Sequence, residues 1–344
     1  MTRAQNSYLL KNNILTYRFP IYHSSMQITE RMEPIMKRTA ISLFALSVAA
    51  MPALAETKSF EAGNFDSLDV NGAIEVIFEQ GASHSVLVEQ DNGDFSDIDI
   101  STKGGELKIT RQSLKKKASW NRGLSTSKKN GKLVVKVNGK VVPNYTVRVT
   151  SPTISEIDAS QSSIVTANDL NTGDLFLDAS SSADIYASGT AGAVKIDASS
   201  SANISAGGLE ANSLDLDASS SADVIAASNG LGNILINISS SADAEVALAG
   251  QAQVDIEASS SSDVTLTGTC DQIVVDASSS ADVMAEGLRC NTANVSGSSG
   301  SDVSVFASQE ITANVTSGAD VTVLGAPSGR SITKSSGGDV DFAG

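Results

Sequence analysis

Beyond residue 60, apolar and polar positions alternate with a period of two along most of the chain. Leu214, Leu216 and Ala218 alternate with Asp215 and Asp217. After a run of serines, Ala222, Val224 and Ala226 alternate with Asp223 and Ile225. The same pattern runs through Val194/Ile196/Ala198, Ile234/Ile236/Ile238, Val254/Ile256/Ala258 and Ile273/Val275/Ala277. Alternation over about five residues, bounded by Ser and Gly clusters, predicts strand–corner–strand units with one face inward. The three-and-four spacing of an amphipathic helix is absent.

These units repeat. A motif close to Asp-Ala-Ser-Ser-Ser-Ala-Asp-Val begins at Asp178, Asp197, Asp217, Asn237, Glu257 and Asp276, with weaker copies at Ser296, Asn314 and Thr333 and a shortened one at Asp158. Its second acidic position falls at residues 184, 203, 223, 243, 263, 282, 302, 320 and 339, with Asn at 203. A unit of about twenty residues cannot bury its inner face alone, so successive units must stack and pair in parallel. The expected fold is therefore all-β, a single-chain parallel β-helix of about ten coils and roughly 48 Å long at ~4.8 Å per coil.

Stacking turns repeat positions into ladders. Ala179, Ala198, Ala218, Ala258 and Ala277 fall beside the Ser corner, where we expect only a small side chain to fit. The Ser hydroxyls are expected to satisfy backbone groups at the corner. The second Asp of each unit faces outward by parity, placed to accept an N–H at the turn. Residues 56–150 carry further alternations with larger side chains, including Ile74/Val76/Phe78, Val86/Val88 and Tyr145/Val147/Val149. They read as an N-terminal β block, which we expect to cap the repeat region 151–344 and cover its open edge. At the other end, Phe342 is expected to plug the last coil.

Composition and charge refine this picture. Only 4% of residues are aromatic, which suits a narrow core of small side chains. Residues 101–150 hold 13 Lys/Arg against the single acid Glu106, whereas 151–344 hold four basic residues against 25 acids. The acidic repeat argues against nucleic acid as a partner. An export signal reads from Met36: Lys37-Arg38, an apolar run Ala40–Ala50, then Ala53-Leu54-Ala55, predicting cleavage between Ala55 and Glu56. Residues 1–35 then read as an over-extended start, and 36–55 as a signal peptide. The run is too short for a stable membrane anchor. Export of the kind seen in Gram-negative cells places the product in the periplasm or outside.

Several stretches together carry a family resemblance. They are Phe65-Asp66-Ser67-Leu68-Asp69-Val70-Asn71-Gly72-Ala73-Ile74-Glu75-Val76, then Gly81 with Ser85–Glu89, Gly105–Ile109, Tyr145–Pro152, and the Ser/Gly/Ala-Asp-Val coils. The chain resembles the putative auto-transporter adhesin head GIN domain family over nearly all of its exported part. The resemblance implies a right-handed β-helix-like fold, export, and a binding or adhesion role in the cell envelope without a defined activity. After the repeats no stretch is long enough for a membrane β-barrel, so self-transport is not expected.

Candidate chemistry is sparse. Catalysis needs one irregular cluster of groups, and here the carboxylates recur alike in every coil. His84 is the one His after residue 55, and the many Ser have no evident base. We expect no enzyme and no cofactor, although Asp184, Asp223, Asp243, Asp263 and Asp282, stacked one coil apart, are candidate Ca²⁺ ligands. Cys270 and Cys290 lie twelve positions before Asp282 and Asp302, so stacking should bring their Cα atoms to about 5 Å, within disulfide range. A basic loop between residues 111 and 132 holds Lys115, Lys116, Lys117, Trp120, Arg122, Lys128 and Lys129. These are candidate contacts to an anionic polymer or a membrane surface. The expected function is a non-catalytic binding module contacting envelope polysaccharide or a surface protein. A structural or assembly protein of the envelope is the first alternative, and a pectin-lyase-like polysaccharide-active enzyme the second.

Overall fold

In a computed structural model, which describes residues 55–91, 94–112, 124–129 and 132–343, the chain is a parallel β-solenoid of about nine turns without a helix among the described residues. Each coil presents two short strands on either side of the Ser corner. The strand Glu156–Ser160 pairs in parallel with Leu175–Ala179, which pairs with the second half of Asp184–Ala198, and so on to Gly329–Lys334. Across the corner a second sheet runs from Ile164–Thr172 to Asp339–Ala343.

The alternation dictates what fills the space between these sheets. Leu177, Ile196, Leu216, Ile236, Ile256, Val275 and Val295 form one fully buried column, and Ile185, Ile204, Val224, Val264, Val283 and Val303 another. Ala179, Ala198, Ala218, Ala258 and Ala277 are buried beside the corner as expected, yet Ile238 occupies the same register and is buried too. Size there is thus not limited to Ala. The coil carrying Ile238 has Ala244 where its neighbours have Val224 and Val264, so the added volume is offset within one coil.

The corner itself is a tight turn with two consecutive residues in the left-handed region. Ser181 and Ser182 have φ of 53° and 62°, and Ser220 and Ser221 have 56° and 61°. The Ala183 N–H donates to Ser180 O at 3.1 Å and the Ala222 N–H to Ser219 O at 3.2 Å, closing a type I′ turn. The central amides are satisfied by the next coil: Ser182 N–H donates to Ser200 O at 3.1 Å, and Ser201 N–H to Ser220 O at 3.0 Å. Backbone carbonyls therefore do the work we expected of the Ser hydroxyls. Hydroxyls contribute where Ser replaces the buried Ala after the turn: Ser262 Oγ donates to Ile238 O at 3.3 Å and Ser301 Oγ to Ala277 O at 3.1 Å.

Residues 56–150 do not stand apart as a separate cap but continue the two sheets. Ser67–Asn71 and Glu75–Gln80 form the coil that precedes Glu156–Ser160. Beneath it, Glu106–Arg111 pairs with Ser67–Asn71, and Thr146–Ser151 pairs with Glu75–Gln80, both in parallel. Antiparallel strands end the sheets, with Ile98–Lys103 on one side and Ser85–Gln90 then Glu56–Phe60 on the other. In the coil beneath, the place of the Ser corner is taken by the long insertion between Arg111 and Tyr145, which carries a three-stranded antiparallel sheet, Leu124–Lys129, Lys132–Val137 and Lys140–Val142. Leu133, Val135 and Val137 pack on Ala73 and Ile164, outside the main core.

A buried cluster ties the two ends of that insertion together. Arg111, 4% exposed, donates to Ala73 O at 3.1 Å and Pro143 O at 2.7 Å, and its guanidinium lies 4.9 Å from the Tyr145 ring centre. Asp97 pairs with Arg111 at 3.5 Å and accepts the Tyr145 hydroxyl. At the far end, Phe342 is 39% exposed beneath the Arg330 guanidinium, 4.0 Å from its ring centre, rather than plugging the coil.

The corner geometry gives a direct test. Ser221→Gly relieves a left-handed conformation at no loss of backbone bonding and should leave stability unchanged or raise it by up to ~1 kcal/mol. Ser221→Val places a β-branched residue at positive φ and should lower it by ~2 kcal/mol. Urea unfolding midpoints of the two variants distinguish these outcomes.

Candidate functional site

The repeated Asp that opens each motif lies in one outward column on the first sheet. Register places Lys108, Asp69, Asp158, Asp178, Asp197, Asp217, Asn237, Glu257 and Asp276 one above another, followed by Ser296, Asn314 and Thr333. From Asp178 to Asn314 this column, together with the first Ser of each corner from Ser199 to Ser298, lines a groove of about 740 Å³. In each coil the groove is lined where the strand runs into the corner, as at Asp217-Ala218-Ser219 and Asp276-Ala277-Ser278. Its polar lining is carboxylate, amide and hydroxyl, recurring at the coil spacing of ~4.8 Å, with Ala198, Ala218, Ile238, Ala258 and Ala277 between them.

Charge in the column is only partly balanced. Lys108 bonds to Asp69 at one end, and Lys195 reaches Asp197 at 3.4 Å from the side. Asp158 sits between these cations. Burial, and then the neighbouring Asp178, Asp69 and Glu156, push its carboxyl up to about 6, with Lys108 opposing. Burial also raises Asp178, reinforced by Asp197 and Glu156, and burial raises Asp197 although Lys195 acts against it. The Asn237 amide interrupts the run of acids and donates to Asp217 Oδ1 at 3.0 Å.

The second column, across the corner, holds the residues considered for Ca²⁺. Asp184, Asn203, Asp223, Asp243, Asp263 and Asp282 are in continuous register. Most are exposed, but Asp184 is 5% exposed and accepts the Asn203 amide at 2.7 Å. Asp243 is raised by burial and by Asp263 and Asp223. Asp339, further along the same column, accepts Lys334 Nζ at 2.7 Å and the strand N–H of Val340 at 2.9 Å; these hold its carboxyl below the usual range. Among the described residues no three His, Cys, Asp or Glu side chains come together as a metal would require.

Other sequence candidates are scattered. His84 Nε2 hydrogen-bonds to Phe65 O at 3.1 Å and its ring meets the Phe65 ring edge-on, so a backbone carbonyl engages that nitrogen. Of the basic candidates, Lys115, Lys116, Lys117, Trp120 and Arg122 lie outside the described residues, while Lys128 and Lys129 end the strand Leu124–Lys129. Thr126 of that strand donates to Ser162 Oγ at 3.3 Å, so the basic insertion touches the corner column. The cleavage site Ala55/Glu56 stands at the start of the first strand, and the signal residues before it lie outside the described part. Two features escaped sequence reasoning: the groove along the first Asp column, since parity marks both Asp positions only as outward, and the Arg111–Asp97–Tyr145 cluster.

Cys270 and Cys290 are in direct register, their Cα atoms 4.6 Å apart, and their sulfurs are joined in a disulfide. Both are buried and cross-link adjacent coils 20 residues apart. We expect the protein isolated without reductant to weigh two hydrogens less than the dithiol. Cys270→Ala/Cys290→Ala should then lower the unfolding free energy by ~2–3 kcal/mol. Intact mass spectrometry and denaturant titration check the two statements, and an unchanged midpoint would show that the bridge adds nothing.

A family model described as "Putative auto-transporter adhesin, head GIN domain" matches residues 64–252 and 227–327. No curated protein matches the chain. Similar solved structures include a putative lipid binding protein from Parabacteroides distasonis, at 17% identity and a TM-score of 0.43, and a putative adhesin from Parabacteroides merdae, at 13% identity and a TM-score of 0.45. Each match covers 85% of this chain and 97% of the other. A putative adhesin from Bacteroides fragilis is similar at 14% identity and a TM-score of 0.32, covering 84% of this chain and 97% of that one.

Proposed function

Because the chain belongs to the putative auto-transporter adhesin head GIN domain family, we propose that it is an exported, non-catalytic binding module of the cell envelope that holds a polysaccharide along its polar groove. The observation that carries this reading is the groove from Asp178 to Asn314, whose donors and acceptors recur once per coil. A recurring set of carboxylates, amides and hydroxyls suits a ligand that is itself a repeat of hydroxyl-bearing units. Each carboxylate can accept from sugar hydroxyls, and Asn237 and the Ser hydroxyls can also donate.

The sign of the groove narrows the ligand. Asp178, Asp197, Asp217, Glu257 and Asp276 repel an anionic polymer, so a neutral glycan is favoured there. Anionic groups of the envelope are left to the basic segment from Lys115 to Lys129, on the insertion that reaches the corner at Ser162. Catalysis is disfavoured because the acids are strung along the groove, one per coil, instead of converging on one point, and His84 is not among its lining residues.

A glycan array and a pull-down against envelope polysaccharide test this reading on the full chain. Asp217→Lys/Glu257→Lys reverses two outward groove charges. It should weaken retention of neutral glycans by about tenfold, equivalent to ~1.4 kcal/mol. Deleting residues 113–130 should spare that binding and reduce retention of anionic polymers. Retention of neutral glycans that the groove variant leaves unchanged would refute the assignment, as would the absence of any retained glycan.

A further inference from the structure

Three places in the solenoid show what a hydrogen-bond donor does when it stands one coil above a carboxylate. Asn203 Nδ2 donates to Asp184 Oδ1 at 2.7 Å, Asn237 Nδ2 to Asp217 Oδ1 at 3.0 Å, and Asn291 Nδ2 to Asp271 Oδ1 at 2.9 Å. In each case the donor belongs to the later coil. The coil spacing thus brings a short side chain within bonding range of its equivalent on the coil before. Asn and protonated Asp have nearly the same shape, and both offer a donor.

At four consecutive steps of the first column both positions are Asp: Asp69/Asp158, Asp158/Asp178, Asp178/Asp197 and Asp197/Asp217. Two ionised carboxylates in this arrangement offer only acceptors and repel one another. We propose that the column from Asp158 to Asp217 is a proton-responsive brace, in which mildly acidic conditions place a shared proton at the Asp–Asp steps and so supply the inter-coil hydrogen bond that an amide supplies at Asn237. Loss of that proton at neutral pH replaces the bond with repulsion and loosens the stack.

The surroundings support this placement. Asp158 shares its strand with Glu156, which accepts the Ser67 hydroxyl at 3.1 Å. The strand below contributes Asp69, with Lys108 beyond it, and the strand above contributes Asp178 and the uncharged Phe176. Further up, Lys195, Asp197, Asp215 and Asp217 face the column. The two lysines are bonded to Asp69 and Asp197 and act on the neighbouring carboxyls only from a distance, Lys108 on Asp158 and Lys195 on Asp178. A carboxyl raised from 3.8 to about 6, as at Asp158, favours folding fully below its unfolded value. That contribution is lost as pH rises through about 6, so the brace strengthens as pH falls from about 7 toward 4.

Asp178→Asn mimics the protonated brace at every pH and is the decisive variant. Thermal midpoints of the full chain, measured with chelator between about pH 5 and about pH 7.5, should show Asp178→Asn above wild type at the upper end, with the gap closing toward the lower end. Asp178→Ala, which removes the charge without offering a donor, should not reproduce the gain. If Asp178→Asn fails to fold, Asp158→Asn, one coil before it, carries the same test. An Asn variant no more stable than wild type near neutrality, a gap that does not change with pH, or an Ala variant equal to the Asn variant would each overturn the proposal.

Discussion

Parallel hydrogen bonding between equivalent residues of consecutive coils is the constraint on which the rest of the molecule depends. A coil of about twenty residues has an inner face only a few side chains wide and leaves its main-chain donors and acceptors unpaired along both edges. Stacking satisfies both needs at once. It also forces like onto like, so that a residue type chosen at one position is met by the same type above and below it. This favours apolar columns, which gain contact, and is tolerable for hydroxyls and amides, which can bond to each other. Ionised groups gain nothing from it. The solenoid keeps two acidic columns nonetheless, and manages them with Lys108, Lys195 and the amides at Asn203 and Asn237.

The corner shows how strictly that bonding governs local conformation. Non-glycine residues seldom adopt positive φ, yet Ser does so twice per coil from Ser181/Ser182 to Ser279/Ser280. The tight turn is what lets the chain reverse while the amide of each second central residue, such as Ser182 or Ser221, still reaches the coil above. Glycine takes over the second position at Gly300, Gly318 and Gly337, near the end of the array. Glycine at Gly268, within the strand Asp263–Ala277, meets a different need: a Cβ there would come within 1.7 Å of Leu248 O, so no side chain fits where the adjacent coil passes.

Much of this was legible from residue spacing, because a strict repeat converts positions in sequence into neighbours in space. The parity of Leu214/Leu216/Ala218 set the inner face, and counting back from Asp282 and Asp302 put Cys270 on Cys290. The N-terminal strands were not legible in the same way. Glu106–Arg111 lies beneath Ser67–Asn71 although it follows it in the chain, and no period links the two. Ser85–Gln90 and Ile98–Lys103 alternate just as the repeats do but pair antiparallel, a choice made by tertiary neighbours and not by alternation. The groove was hidden for another reason. Parity marks a side chain as outward, whereas it does not tell which stretch of an outward column lines a groove.

The exchange of bulk between Ile238 and Ala244 bears on how such an array can grow and shrink. Because this compensation lies inside one coil, that coil can be gained or lost whole without unbalancing the filling of its neighbours, whereas losing one coil of the Cys270–Cys290 pair would break the cross-link. Recombination within the Ser corner is another matter. The Ser corner is where the amino-acid sequences of the copies are most alike. A crossover there would join Ile238 to a following Val, overfilling the coil, or Ala218 to Ala244, leaving a void, and either mismatch costs on the order of 1–3 kcal/mol. The coil with the unusual filling therefore acts as a phase marker, penalising exchange that splits a module and sparing exchange that moves it whole.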